Sequence, residues 1–314
     1  MNQRSTSQIK THLLRHLLGL KRDAGYLQRR SSEKSEFIAN MSGCGPIACD
    51  LNTLFPYLEE SALRLLETGN WLDASRSQVQ VQSKNPKLLE VGSNPYFMSI
   101  SLKERFPNFD CLGVNYHAPS GENGVGQIFD QNIVDPKNRL ALHRYLFADI
   151  ERHALSRAAT FDYLLFCEVI EHLPYDPSWA LFNLASTLKT GGIAIITTPN
   201  PARMESIEKL ALTQKSVSDP ISGHGIHGRH NREYDFDELR DLLLNTGFEV
   251  LKHGTFDTQL NTYSRSAQEQ GYGQYHFVMA ILRSRPKIYR PDWLYRGYEP
   301  HELLQDIPLL RRSG

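Results

Sequence analysis

Hydrophobic and polar positions along this chain follow two alternating rhythms. From Lys87 onward, apolar runs of strand length recur between amphipathic stretches of helical period, and most runs end in a turn residue. The pattern predicts strands at 87–91, 110–115, 145–148, 161–167 and 192–198. Helices are predicted at about 96–105, 137–144, 151–157, 177–189 and 201–214. The runs "FDYLLFC" and "GIAIITT" are almost continuously apolar, as strands are when both faces of a parallel sheet are covered. A helix over 235–246 stops at Gly247, and strands at 247–254 and 275–283 can pair antiparallel. The expectation is an α/β fold with a doubly wound, mostly parallel sheet and an antiparallel edge.

Before Lys87 the rhythm is helical. Residues 52–68 predict a helix closed by Gly69-Asn70, and the polar residues 73–86 read as a linker. The first 30 residues hold seven Lys and Arg but a single acid, Asp23, and Ile9, Leu13, Leu14, Leu17 and Leu18 share one helical face. That stripe fits a targeting or membrane-surface helix, or a helix that packs on the active site; its shortness favours the second. Three regions follow: a helical extension or lid at 1–86, a ligand-binding body at 87–283, and an Arg/Tyr-rich tail at 284–314. A glycine-bearing insertion occupies 116–135.

Composition narrows the function. A net charge of zero over 314 residues points away from nucleic acid or an acidic membrane as a bulk electrostatic partner. The four cysteines form no paired zinc pattern and suit a reducing, cytoplasmic compartment, with a Cys44–Cys49 disulfide the less favoured alternative. No apolar run approaches the roughly 20 residues that span a bilayer.

The candidate chemistry lies at the strand ends, where open α/β sheets bind ligands. In "LLEVGSNPYF", Glu90 closes a strand and needs a partner, while Gly92 lets the backbone approach a ligand. Asp149 ends the third strand and could equally cap a helix. After Cys167 come Glu168, Glu171 and His172, whose i, i+3, i+4 spacing puts all three on one helical face. Farther on, "GHGIHGRHNREYDFDEL" offers His224, His227 and His230 without a compact metal-ligand spacing.

"FDYLLFCEVIEHLP…LKTGGIAIITTPNP" and "REYDFDELRDLLLNTGFEV" resemble the class I S-adenosylmethionine (SAM) dependent methyltransferases, over roughly residues 87–283. The resemblance implies a Rossmann-like, seven-stranded fold and SAM as cofactor. It places SAM against Glu90, Gly92, Ser93, Asn94, Asn115, Asp149, Ile150, Cys167 and Glu168. Two positions depart from the family pattern: Ser93-Asn94-Pro95 replaces further glycines, and Asn115 stands where an acid usually meets the ribose. The E-x-x-E-H pattern is similar to that of ubiquinone-pathway and small-RNA 2′-O-methyltransferases. That likeness implies a divalent cation, Mg2+, on Glu168, Glu171, His172 and His230. Without a metal, His172 is the leading base for a hydroxyl acceptor and His230 the alternative, with Glu171 beside them; the two mechanisms exclude each other at His172. The first functional reading is O-methylation of a small molecule or glycan. An RNA 2′-O-methyltransferase using the basic N-terminus and the tail is the second, and a non-catalytic methyltransferase-like protein the third.

Overall fold

The computed structural model describes residues 3–47, 51–78, 83–116, 125–155, 159–212 and 228–295. Its strands, in chain order, are β1 (Gly45–Pro46), β2 (Lys87–Val91), β3 (Asp110–Asn115), β4 (Ile128–Val134), β5 (Leu140–Phe147), β6 (Phe161–Cys167), β7 (Leu188–Pro199), β8 (Phe248–Phe256) and β9 (Tyr275–Leu282). They form one sheet in the order β1-β4-β5-β3-β2-β6-β7-β9-β8. The five central strands, from β5 to β7, are parallel; β9 runs antiparallel to both β7 and β8. All seven expected strands are present, and β4 and β1 extend the sheet by two antiparallel pairings.

The helices are α1 (Gln3–Leu17), α2 (Ala24–Met41), α3 (Leu51–Gln78), α4 (Phe97–Arg105), α5 (Pro177–Ala185), α6 (Met204–Ala211), α7 (Phe236–Thr246), α8 (Ser264–Glu269) and α9 (Asp292–Tyr295). Successive strand residues point to opposite faces, so each central strand feeds two cores. On one face, Leu88, Tyr163, Leu165, Ile193 and Ile195 pack with Leu63, Trp71 and Leu72 of α3 and with α4. On the other, Leu89, Leu164, Phe166 and Ile196 pack with Leu181 and Leu184 of α5 and Leu239 and Leu243 of α7. The near-continuous apolar strands follow from this double burial. The α3 helix, which lies before the expected sheet, is thus one of the layers that cover it.

Several expected elements differ. The helix at 137–144 is replaced by β5, because "LALHRYLF" alternates burial and pairs along its whole length with β4. The residues after Asp149 form turns: Asp149 Oδ1 accepts from the Glu151 N–H, and Asn183 captures the Leu155 N–H. The α3 helix runs ten residues beyond its expected end, into the supposed linker. The α2 helix, absent from the sequence reading, starts where Asp23 Oδ1 accepts the Tyr26 N–H at 2.8 Å. The apolar stripe of α1 is split: Leu14 and Leu18 pack beside Met204, Tyr263 and Ala267, whereas Ile9, Leu13 and Leu17 are exposed. No helix among the described residues is long and apolar enough to cross a membrane. Cys44 is a free, buried thiol, and Cys49 lies outside the described residues.

Gly113 of β3 is set by packing. A Cβ there would sit 2.4 Å from Ser93 Oγ and 2.8 Å from His143 Nε2. Gly113→Ala is expected to destabilise the fold by about 1–3 kcal/mol through overpacking. Urea unfolding measures the loss; an unchanged midpoint would show that Ser93 does not need this space.

Candidate functional site

The strand order lines up the candidate residues along the carboxyl edge of the sheet. Asp149 follows β5, Asn115 ends β3, Gly92 follows β2, Glu168 follows β6, and Thr198 lies near the end of β7.

The turn after β2 works without further glycines because side chains hold it. Gly92 has φ +72°, and a Cβ on it would lie 2.8 Å from Val169 Cγ2. Asn115 Oδ1 accepts from Ser93 Oγ at 3.0 Å and from the Asn94 N–H at 3.3 Å, and its Nδ2 donates to the Tyr96 hydroxyl. The amide expected to meet a ribose is therefore turned onto the turn itself. Ser93 is buried, while Gly92 and Asn94 stay exposed. Pro95 follows a cis peptide bond and precedes α4, which begins at Phe97, rather than starting that helix.

Glu90 finds two partners. Its carboxyl is 5% exposed, accepts a hydrogen bond from Ser99 Oγ, and feels the charge of Arg64. Burial outweighs both and pushes its pKa up to about 8. Arg64, on α3, is itself buried and donates to the Tyr57 and Ser61 hydroxyls. A cavity of about 230 Å³ opens between Arg64, Glu90, Gly92, Cys167, Glu168 and His172. Nothing in the sequence singles out Arg64, because an arginine within "SALRLLE" reads as a solvated position of an amphipathic helix. Burial also pushes the Cys167 thiol up to about 12.

The E-x-x-E-H segment is not one helical face. Glu168 adopts φ +55°, a left-handed conformation uncommon outside glycine, and a 3₁₀ turn spans only Ile170–His172. The strained backbone turns Glu168 toward β7, where Thr197 Oγ1 donates to its Oε1 at 2.9 Å. Glu171 is fully buried, and Thr198 Oγ1 donates to its Oε2 at 3.1 Å. Burial, and then the neighbouring Glu168 charge, raise the Glu171 pKa well above the carboxylate range. Burial likewise raises Glu168, with Arg64 pulling the other way.

Two histidines meet here, ring centroids 5.0 Å apart and nearly perpendicular. His172 Nδ1 lies 3.0 Å from the Arg229 carbonyl, which only accepts, so Nδ1 carries the proton and Nε2 is the basic nitrogen of the neutral ring. His230 Nδ1 lies 2.8 Å from Glu233 Oε1, and Arg203 clamps Glu233 through two nitrogens at 2.6 and 3.2 Å. Burial opposes the Glu233 charge, but the bonds from His230 and Arg203 prevail and hold its pKa down to about 2. Neither Arg203 nor Glu233 carries a recognisable motif in the sequence. Donor atoms of Glu171, His172 and His230 lie within 4.8 Å of one another, and Glu168 is not in that group. His224 and His227 lie outside the described residues.

A second cavity, about 340 Å³, is lined by His230, Arg203, Glu60, Glu205, Gln274 and Tyr275 and meets the first at Glu168. At the far end of the row, Asp149 is buried with Oδ2 accepting no hydrogen bond among the described residues; its nearest cation is Arg152, with Nε at 3.6 Å. Ile150 is buried beside it.

A family model described as a methyltransferase domain matches residues 50–253. No curated protein sequence matches the chain. Among solved structures, the fold is similar to that of the Burkholderia thailandensis 1,6-didemethyltoxoflavin-N1-methyltransferase with bound S-adenosylhomocysteine. Identity is 14% and the TM-score 0.47, over 80% of this chain and 87% of that one. It is similar to an S-adenosylmethionine-dependent methyltransferase from Clostridium acetobutylicum at 11% identity and TM-score 0.47, over 75% and 100% of the two chains. The plantazolicin methyltransferase BpumL is similar at 14% identity and TM-score 0.46, over 82% and 98%.

The raised Glu90 pKa has a stability signature. The unfolded chain releases this proton near pH 4.5 and the folded chain near 8, so stability is full below about 4.5 and falls as pH rises to about 8. Glu90→Gln keeps an acceptor for Ser99 and should remove this loss, roughly 1.4 kcal/mol per pH unit within the window. Urea midpoints from pH 5 to 8 test it; parallel curves for the two proteins would refute the assignment.

Proposed function

We propose a reaction for this site on one premise: the chain belongs to the class I S-adenosylmethionine-dependent methyltransferases, and we read its acceptor as a hydroxyl group. When bound, SAM supplies an activated methyl group on a sulfonium. The chain's own residues fit such a cofactor. Buried Asp149, whose Oδ2 accepts no hydrogen bond among the described residues, and Ile150 suit the adenine end. The glycine cradle at Gly92, with Ser93, Asn94 and Glu90, suits the methionine end, where Arg64 would offer a positive charge to the cofactor's carboxylate. Cys167 and Glu168 form the opposite wall. Asn115 acts one step back, by holding Ser93 and Asn94 in place.

The observation that carries the reading is the Arg203–Glu233–His230 chain, which ends in the cavity adjoining that cradle. Glu233 Oε1 accepts a hydrogen bond from the His230 Nδ1–H, so Nε2 is the basic nitrogen. As the acceptor oxygen gains the methyl group, His230 Nε2 takes its proton, and ionised Glu233 stabilises the resulting imidazolium. Arg203 keeps Glu233 ionised and fixed. His230 is therefore assigned the base role in preference to His172, which lines the cofactor cavity and is oriented by a neutral carbonyl. Mg2+ is a poor match. It prefers oxygen ligands, whereas the clustered donors are two imidazoles and one carboxyl, and Glu168 bonds Thr197 instead. No step here runs through a metal ion.

SAM titration by calorimetry should show binding, with Arg64→Met weakening it. Label transfer from methyl-tritiated SAM to a hydroxyl acceptor should fall about 10²–10⁴-fold in His230→Ala with SAM affinity retained. Glu233→Gln should lower kcat in the same direction. Absence of SAM binding to the unaltered protein would overturn the reading; full turnover by His230→Ala would remove the base assignment.

A further inference from the structure

The cavity that receives His230 also carries information about what it accepts. It is lined by three carboxyl groups, from Glu60 on α3, Glu168 after β6 and Glu205 on α6. Among the described lining residues its one guanidinium, Arg203, is committed to Glu233 through two nitrogens. The nearby Lys209 ammonium is engaged by Glu205 at 2.6 Å. Gln259 and Gln274 add amides, and Gln274 Oε1 already accepts from Thr258 and from the Gln259 N–H, so its NH₂ is the group left to offer.

From this lining we infer that the acceptor is an uncharged, polyhydroxylated alcohol of carbohydrate type, and neither an anion nor an amine. The inference rests on the methyltransferase reading above and deepens it. A phosphate or carboxylate on the acceptor needs an uncommitted cation, and the described walls would place the Glu60 and Glu205 carboxylates against it instead. An amine fails for a different reason. Carboxylates favour its ammonium form, which has no lone pair to receive a methyl group. A hydroxyl is neutral at working pH and loses its proton only as it reacts, to His230. Neighbouring hydroxyls are hydrogen-bond donors for the carboxyl oxygens and acceptors for the glutamine amides. An RNA acceptor is disfavoured on the same grounds, because its phosphates need cations along the path.

The test uses the full chain, methyl-tritiated SAM, and three matched probe sets: neutral methyl glycosides, their phosphate esters, and their aminodeoxy analogues. Transfer to neutral members is expected, with kcat/KM at least about tenfold above the phosphorylated partners. Glu60→Lys, at an exposed wall position, should shrink that ratio at least about tenfold, mainly through KM, with calorimetric SAM affinity unchanged. Equal or faster transfer to phosphate esters or amines overturns the acceptor class. So does the absence of label in every set while SAM still binds, and that result leaves the methyltransferase reading in place. Loss of SAM binding strikes the parent reading instead.

Discussion

Two carboxyl groups, half-buried Glu168 and fully buried Glu171, stand three residues apart at the end of one strand, and much of the surrounding architecture serves to make that tolerable. Charge in such a place is costly. The structure answers with two threonine hydroxyls from β7, one for each carboxyl, while burial raises the pKa of both acids. It also brings in Arg64, whose guanidinium lowers the cost at Glu90, Glu168 and Glu171 together. That cation comes from α3, well before the first parallel strand. The helical segment before the sheet is therefore electrically part of the site as well as a layer of the core.

The difference between the two histidines follows from second partners. Both imidazoles carry their proton on Nδ1, but one faces a carbonyl and the other a carboxylate pinned by Arg203. Only the carboxylate gains stabilisation when the ring becomes cationic. A sequence cannot distinguish them, because the difference resides in Arg229 and Glu233, which are near neighbours of His230 in the chain but acquire their meaning only when the segment folds across the strand ends.

What was legible in the sequence was whatever periodicity controls. The parallel strands are buried on both faces, so their composition announces them, and the turns at their carboxyl ends locate Glu90, Gly92, Asp149 and the Glu168–His172 segment. The first half of β5 reads as a helix because a strand with one exposed face carries mixed residues that also satisfy a short helical stripe, and β4 falls within the stretch that reads as an insertion. Leu140 and Leu142 are exposed on β5 and look like a helix face on paper. Asn115 ends its strand as expected, but its bonds to Ser93 and Asn94 are not legible in the sequence, since nothing local reveals that the β2–α4 turn takes an outside acceptor. Glu168 looked like the first member of a helical triplet, and its left-handed backbone separates it from the other two.

The smallest strand has a consequence for the molecule as a whole. β1 contributes only Gly45 and Pro46 to the edge of a nine-stranded sheet, pairing with Ile133 and Val134. Proline has no N–H to donate, and two residues offer almost no length for another strand to copy. An open edge on β4 would be a seven-residue template for another chain. By laying a donor-poor dipeptide along one end of it, the fold shortens the ladder on which intermolecular β-pairing could begin, at the side of the sheet farthest from β8.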